Sequence, residues 1–359
     1  MEIKFYQAEC GDAARIRFLG NDNKYHNVFI DAGYERTFRY ALEIEIQEII
    51  NKGERIDLWI ISHIHDDHIG GIIKYIDTIN DGEYKDMVNQ YFYNPPRSYV
   101  FKTSTKSASE FASIGQGDLL YEYLKSNNKL LNIDITSSLK PFELYGLNIT
   151  ILSPSSQKLD KLRLKYPLDS PKSFEREEDE KISEAVTTKQ NDYKTLINDF
   201  VLDKWKEDVS VENGSSISIL TEFNHKKILW LADSHPSDVI KSLNKIGFNS
   251  TNKLECEWVK VTHHGSKGNN NDALYDLIKC ENYLFSVNGE NKHYLPSKEC
   301  IARILRNKKR STNSKYKFHF TYDNETLRSI FKNENSNIYA EYNFEVVYGI
   351  EKYLKFDVV

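Results

Sequence analysis

The residues with the clearest chemistry lie at 62–68, which read Ser-His-Ile-His-Asp-Asp-His. Three imidazoles (His63, His65 and His68) and the Asp67 carboxylate fall within six positions. His63 and His65 are two apart, so in extended chain they share a face. Asp67 and His68 belong to the first turn of the helix that follows, where they can face a second cation beside the first. Neutral imidazole and carboxylate suit zinc, manganese or iron. A polar loop whose histidines merely cap a helix is the plainer alternative, and metal binding is favoured over it.

The flanking residues explain how such a cluster would be held. The run 56–61 (Ile-Asp-Leu-Trp-Ile-Ile) is short, apolar and β-branched, as expected of a buried strand. From Asp67 onward, Ile69, Ile72, Ile73 and Ile76 have helical spacing behind an acidic helix start. Two later apolar runs also end in polar residues. Residues 227–231 run into Ala232-Asp233, and 257–262 run into His263-His264-Gly265-Ser266.

The 62–68 stretch resembles the HxHxDH signature of the metallo-β-lactamase fold superfamily, with Gly70-Gly71 following as they often do there. That resemblance implies an α/β fold, an αββα sandwich with a dinuclear site at one edge of its two sheets. It gives His63 and His65 to one metal, Asp67 and His68 to the other, and makes Asp233 the bridging carboxylate, where Ala232 stands in place of a frequent Gly. The stretch 259–266, VKVTHHGS, resembles the branch that includes the hydrolase domain of the competence protein ComEC and phosphorylcholine esterases. Either histidine of the pair fits as a metal ligand; we favour His263 as the ligand and His264 as the catalytic partner that contacts substrate or donates a proton. Asn213-Gly214-Ser215-Ser216 resembles the Asn/Ser motif of the same branch, which makes Asn213 and Ser215 cofactor-binding candidates where other members carry a histidine. His225, in an expected hairpin turn, is read as exposed. Asp31, at the end of the strand 28–33, is given a structural role, and Gly11-Asp12 resembles the loop that opens this branch. A Gly-His-Pro common in relatives is replaced here by 288–296, with Leu295 where the His would stand; His293 is either an ordinary loop histidine or the substitute from a shifted position, and in the second reading it completes, with Asp67 and His264, the expected catalytic set.

The chain has 359 residues, 40% of them hydrophobic, and a net charge of −5, which argues against a globally basic nucleic-acid binder. It carries no long uncharged apolar run, so no membrane association is expected, and its N-terminus lacks a signal-peptide pattern. Cys10, Cys256, Cys280 and Cys300 show no CxxC spacing and read as incidental thiols of a reduced, cytoplasmic protein.

Residues 1–305 are expected to form the hydrolase domain, with insertions at about 81–140 and 155–212 near the site mouth. Strands are expected at 3–6, 14–19 and 28–33, and a helix at 36–52 through Tyr40, Ile44, Ile46 and Ile50. A helix at 118–126 and a hairpin at 142–152 follow. The insertions include a Ser/Thr-rich run at 103–109 and a charge run at 175–181, read as a solvated helix or insert. A helix at 298–306 leads to a β-rich C-terminal extension, 306–359, with alternating strands at 315–322 and 339–347. Lys308, Lys309 and Arg310 beside Tyr316 are read as a solvated loop.

The expected activity is metal-dependent hydrolysis by a metal-bridging hydroxide. The cofactors are two divalent ions, zinc or manganese, with magnesium also open. The branch resemblance favours a phosphodiesterase or nuclease, with a nucleic acid or other phosphodiester as substrate. Soluble relatives in bacterial antiviral defence add a partner protein as an expectation. A lactonase or thioesterase on the same scaffold, and a metal-binding regulatory module, are the alternatives.

Overall fold

The computed structural model describes residues 1–97, 112–167 and 190–358; the runs at 103–109 and 175–181 lie outside the described residues. Alternation of side chains along each strand builds the layers. In β3 (Tyr25–Ile30) Val28 and Ile30 face inward while Phe29 faces the opposite side, and in β4 (Ile56–Ile60) Leu58 and Ile60 oppose Trp59. β1 (Glu2–Tyr6), β2 (Ala14–Leu19) and β3 form an antiparallel meander. β3, β4 and β5 (Val88–Phe92) then pair in parallel.

The second sheet opens with the hairpin β6 (Phe142–Leu144) and β7 (Leu147–Ser153), then β8 (Ser218–Phe223) and β9 (Lys226–Trp230). After the short β10 (Leu254–Glu255) come β11 (Trp258–Lys260), β12 (Ile278–Lys279) and β13 (Asn282–Phe285). β14 (Tyr316–Phe320), β15 (Phe344–Tyr348) and β16 (Tyr353–Asp357) are C-terminal. The two sheets have orders β16-β1-β2-β3-β4-β5 and β15-β14-β13-β11-β9-β8-β7-β6, while β10 and β12 pair as a separate ribbon. The C-terminal strands are therefore divided between both sheets. The strand expected over 339–347 begins only at Phe344, because Ile338–Glu341 forms a helical turn.

Inward residues of both sheets make the central core, including Phe5, Ile16, Ile60, Ile219, Trp230 and Trp258. Helices α1 (Glu43–Asn51) and α2 (Asp66–Asn80) cover the outer face of the first sheet, where Ile46, Ile49, Ile72 and Tyr75 pack with Trp59. The buried face of the α1 region is Phe38, Leu42, Ile46 and Ile49; Tyr40 and Ile44, expected on it, are exposed. α3 (Ala112–Ser126) packs against α2, and α4 (Ser156–Lys165) adds Leu159 and Leu162 to the same core. α5 (Pro236–Lys245) and α6 (Lys298–Arg306) cover the second sheet with Val239, Leu243, Ile301 and Leu305. Each such aliphatic side chain contributes about 1.5–3 kcal/mol on burial. The result is the αββα sandwich. Arg310, read as solvated, stacks on Tyr316 at 4.1 Å and donates to the Leu305 carbonyl at 3.1 Å, so it belongs to the fold.

The sandwich brings several strand ends to one edge. β3 and β4 run parallel and end at Asp31 and at Ser62-His63, while β9, β11 and β13 run parallel and end at Asp233, His263-His264 and Ser286.

Candidate metal centre

Backbone conformation at these strand ends is unusual. Asp31 (φ 54°), Ala232 (φ 43°), His263 (φ 46°) and His264 (φ 51°) are all left-handed, a region that costs a non-glycine residue about 1–2 kcal/mol. Strain of this kind persists where surrounding structure over-determines it, and it concentrates at functional sites. Ala232 shows why Gly suits that position.

Two groups of ligand-type atoms meet here. His63, His65 and Asp233 form one, and Asp67, His68, Asp233 and His264 form the other, with the atoms of each group within 4.8 Å of one another. Asp233 is common to both. In the four-residue group, His68 Nε2 lies 3.4 Å from Asp233 Oδ2 and 3.6 Å from Asp67 Oδ2. His264 Nε2 lies 3.3 Å from Asp67 Oδ2 and 3.6 Å from Asp233 Oδ1. At metal–ligand distances of about 2.0–2.2 Å, tetrahedral ligand atoms stand about 3.3–3.6 Å apart. His68 Nε2, His264 Nε2 and Asp233 Oδ1 are buried with no hydrogen-bond partner, so a cation there would satisfy three otherwise costly polar atoms. The residues fit a divalent metal.

A supporting layer orients the ligand atoms. Asp31, fully buried, accepts from Ser62 N at 2.7 Å, Ser62 Oγ at 2.8 Å and His68 Nδ1 at 2.8 Å. His264 Nδ1 donates to the Ser286 carbonyl at 2.8 Å. Both rings therefore commit Nδ1–H behind them and turn Nε2 into the cluster, the arrangement that fixes a histidine ligand's tautomer. Asp12, Asp31 and His68 also lie together, but Asp12 is ion-paired with the buried Lys260 and Asp31 is committed to Ser62 and His68. That group is the back wall of the site.

The electrostatics favour positive charge. Burial opposes protonation of His68, yet Asp233, Asp67 and Asp31 push it well above the usual imidazole range. Burial alone would raise Asp233, but His263, His68 and His264 hold its carboxyl well below the usual carboxylate range. Burial and the neighbouring His68 and His65 push His63 well below its ordinary value, as suits a neutral ligand.

Other expected residues fall differently. His264, not His263, joins the four-residue group. His263 is partly exposed, its Nε2 3.6 Å from Asp233 Oδ2 and its Nδ1 2.8 Å from Asn269 Oδ1. After the left-handed turn the two adjacent rings stand nearly perpendicular, with an interplanar angle of 77° and centroids 5.8 Å apart. Asn213 is buried, donates to Asp208 Oδ2 at 2.6 Å, and keeps Oδ1 without a partner. Ser215 Oγ is instead bound to the Glu212 carbonyl at 2.7 Å, an interaction within its own helical turn. His293 is partly exposed and outside both groups, but close enough that His263 and Asp67 influence it; burial first, then His263, pushes it down to about 4. His225 is exposed in the β8–β9 turn. Sequence reading missed Asp208, which accepts from both Asn213 and Asn269 and lies 3.8 Å from His263 Nδ1, and it missed the buried Lys260–Asp12 pair.

A model of the metallo-beta-lactamase superfamily matches residues 22–144, the segment from β3 through the His63–His68 loop to β6. The αββα sandwich and the buried His/Asp groups agree with that match: the fold is metallo-β-lactamase-like and carries a candidate dinuclear metal site. Two solved chains are similar over 99% of this one. CmlA, a diiron beta-hydroxylase from Streptomyces venezuelae, has 10% identity and a TM-score of 0.43; a mutant of the CmlA beta-hydroxylase has 11% and 0.41. This chain spans 54% of the length of each. No curated protein sequence matches it. Among the described residues, no helix is long and apolar enough to cross a membrane.

Proposed function

We propose that this chain is a dinuclear metal-dependent hydrolase and that it cleaves phosphodiesters. The observation that carries the proposal is Asp233, a buried carboxylate shared by two groups of ligand-type atoms. His63, His65 and Asp233 would hold one ion, and Asp67, His68, His264 and Asp233 the other. When bound, two divalent cations lower the pKa of water and withdraw charge from an acyl or phosphoryl oxygen.

The chain's own residues supply orientation and proton handling. Asp31 and the Ser286 carbonyl keep the His68 and His264 rings aimed inward. His263 has the exposure that His264 lacks, and Asn269 steadies its Nδ1. This suits it to contact an anionic substrate oxygen and pass a proton to the leaving group, so the roles expected for the adjacent pair are exchanged. His293, near enough for His263 and Asp67 to act on it electrostatically, would contact the substrate. The phosphodiester preference is supported by the likeness of 259–266 and 213–216 to the phosphoesterase branch. A role in antiviral defence with a partner protein is the wider setting that likeness proposes.

The test offers the purified chain, with manganese or zinc, bis-p-nitrophenyl phosphate, DNA and RNA beside a lactone and a thioester. Phosphodiester turnover that falls at least about 100-fold in His263→Ala, the scale of one general acid, is expected. Turnover of the lactone or thioester alone would overturn the substrate assignment.

A further inference from the structure

On the face away from the strand ends that carry the metal centre, topology brings together two cysteines that are remote in sequence. β10 pairs with β12 (Leu254↔Ile278, Glu255↔Lys279), and β11 pairs with β13 from Trp258↔Asn282 onward. Both pairings are parallel and keep one constant offset. Carried one residue past β10, that offset sets Cys256 beside Cys280, and the Cys256 amide donates to the Lys279 carbonyl at 3.0 Å. Neighbouring strands lie about 4.8 Å apart, inside the range of about 4.4–6.8 Å that a disulfide spans between Cα atoms. Side chains at equal register share a face, which sets the two thiols side by side. The Cys280 thiol also donates to the Asn282 carbonyl at 3.2 Å.

The pair is reachable. Cys256 is partly exposed and Cys280 is buried behind it. Both line a surface groove of about 670 Å³ with Lys226, Lys253 and Lys309 along its walls. Among the described cysteines, Cys10 and Cys300 are buried elsewhere in the second sheet's core.

We propose that Cys256 and Cys280 form a reversible redox-modification site, oxidised by hydrogen peroxide to an intramolecular disulfide that clamps the entry ends of β11 and β13. The outer thiol, Cys256, attacks first. Its sulfur takes one peroxide oxygen as the O–O bond breaks, giving a sulfenic acid and one water. The Cys280 sulfur then displaces that hydroxyl, which leaves with the Cys280 proton as a second water. Two thiols are oxidised by two electrons and the peroxide is reduced by two. The clamp lies at the opposite ends of the strands that deliver His263-His264 and Ser286. A bond between directly adjacent strands departs from relaxed disulfide geometry, which makes it readily reduced.

The experiment treats the full chain with hydrogen peroxide, alkylates it in denaturant and maps its peptides by mass spectrometry. The expected result is the loss of two of the four alkylatable thiols, a Cys256–Cys280 linked peptide, and recovery of both thiols with dithiothreitol. In Cys280→Ser, Cys256 is expected to stop at a sulfenic acid that dimedone traps. Four alkylatable thiols after exposure, or Cys256 oxidised in the wild type while Cys280 stays reduced, would overturn the proposal.

Discussion

Asp31 accepts three hydrogen bonds inside a fully buried pocket and touches neither solvent nor the opposite face of the site. Its task is to hold Ser62 and the His68 ring. Asp31→Asn keeps the shape but weakens the acceptor that fixes His68 Nδ1–H. Such supporting partners are worth about 10–100-fold in metal affinity, and weakening the buried bonds costs about 1–3 kcal/mol of stability. Calorimetric metal titration and thermal melting should show both effects; wild-type affinity in the variant would mean that the ring orients without Asp31. At this scale the sequence was informative where the candidate ligands are close in the chain. His63, His65, Asp67 and His68 declare themselves by spacing alone. Asp208, Asn269 and Lys260 do not, because the partners that tie them to the site, Asn269 for Asp208 and Asp12 for Lys260, come from remote segments of the chain. The roles within His263-His264 depend on two left-handed residues in succession, which no local pattern announces.

Among the elements, α2 is the piece fitted most closely. Its first turn carries Asp67 and His68, and its next turn presses on the end of β3. A Cβ added at Gly71 would stand 2.1 Å from the Ala32 carbonyl oxygen, and one at Gly11 would stand 2.3 Å from the Asp67 carbonyl oxygen. Both obstacles are backbone, which cannot swing aside. Gly71→Ala should therefore push α2 off β3, destabilise the fold by about 2–4 kcal/mol and lower metal binding with it. Urea unfolding with a parallel metal titration would check this; an unchanged midpoint would contradict the close approach. The strands β1–β4, β6, β7, β9, β11 and β14 and the helices at Asp66–Asn80 and Lys298–Arg306 were legible because apolar periodicity and polar stops agree. The face of α1 was misread at Tyr40 and Ile44 because Phe38, Leu42, Ile46 and Ile49 recur at spacings of four, four and three, and that buried stripe excludes both.

Across the whole molecule, the two sheets pack on one apolar core, and His319, on β14, is a titratable group buried against it. It packs on Trp258 at 4.6 Å and on Phe356 at 5.4 Å. Burial, with Lys317 adding to it and Glu345 opposing it, pushes His319 down to about 4. The unfolded chain would take up this proton near pH 6.5, so between about 6.5 and 4 it binds more protons than the folded chain does. Stability is therefore fully present above that window, falls as pH drops through it, and levels off below. The contribution is on the order of 3 kcal/mol. His319→Phe keeps the ring contacts and removes the proton site, so its denaturant midpoint should depend less on pH than the wild type's; parallel curves would contradict the assignment. Which strands join which sheet was the least legible feature, since β16 pairs with β1 from the far end of the chain.

The central claim is that one buried carboxylate serves two metal sites, and metal content measured on wild type and Asp233→Ala, each loaded with manganese or zinc and desalted, tests it most directly. Two ions per chain in the wild type, with both lost or greatly weakened in the variant, is the predicted result. A wild type that retains no metal, or a variant that still holds two ions, would contradict it.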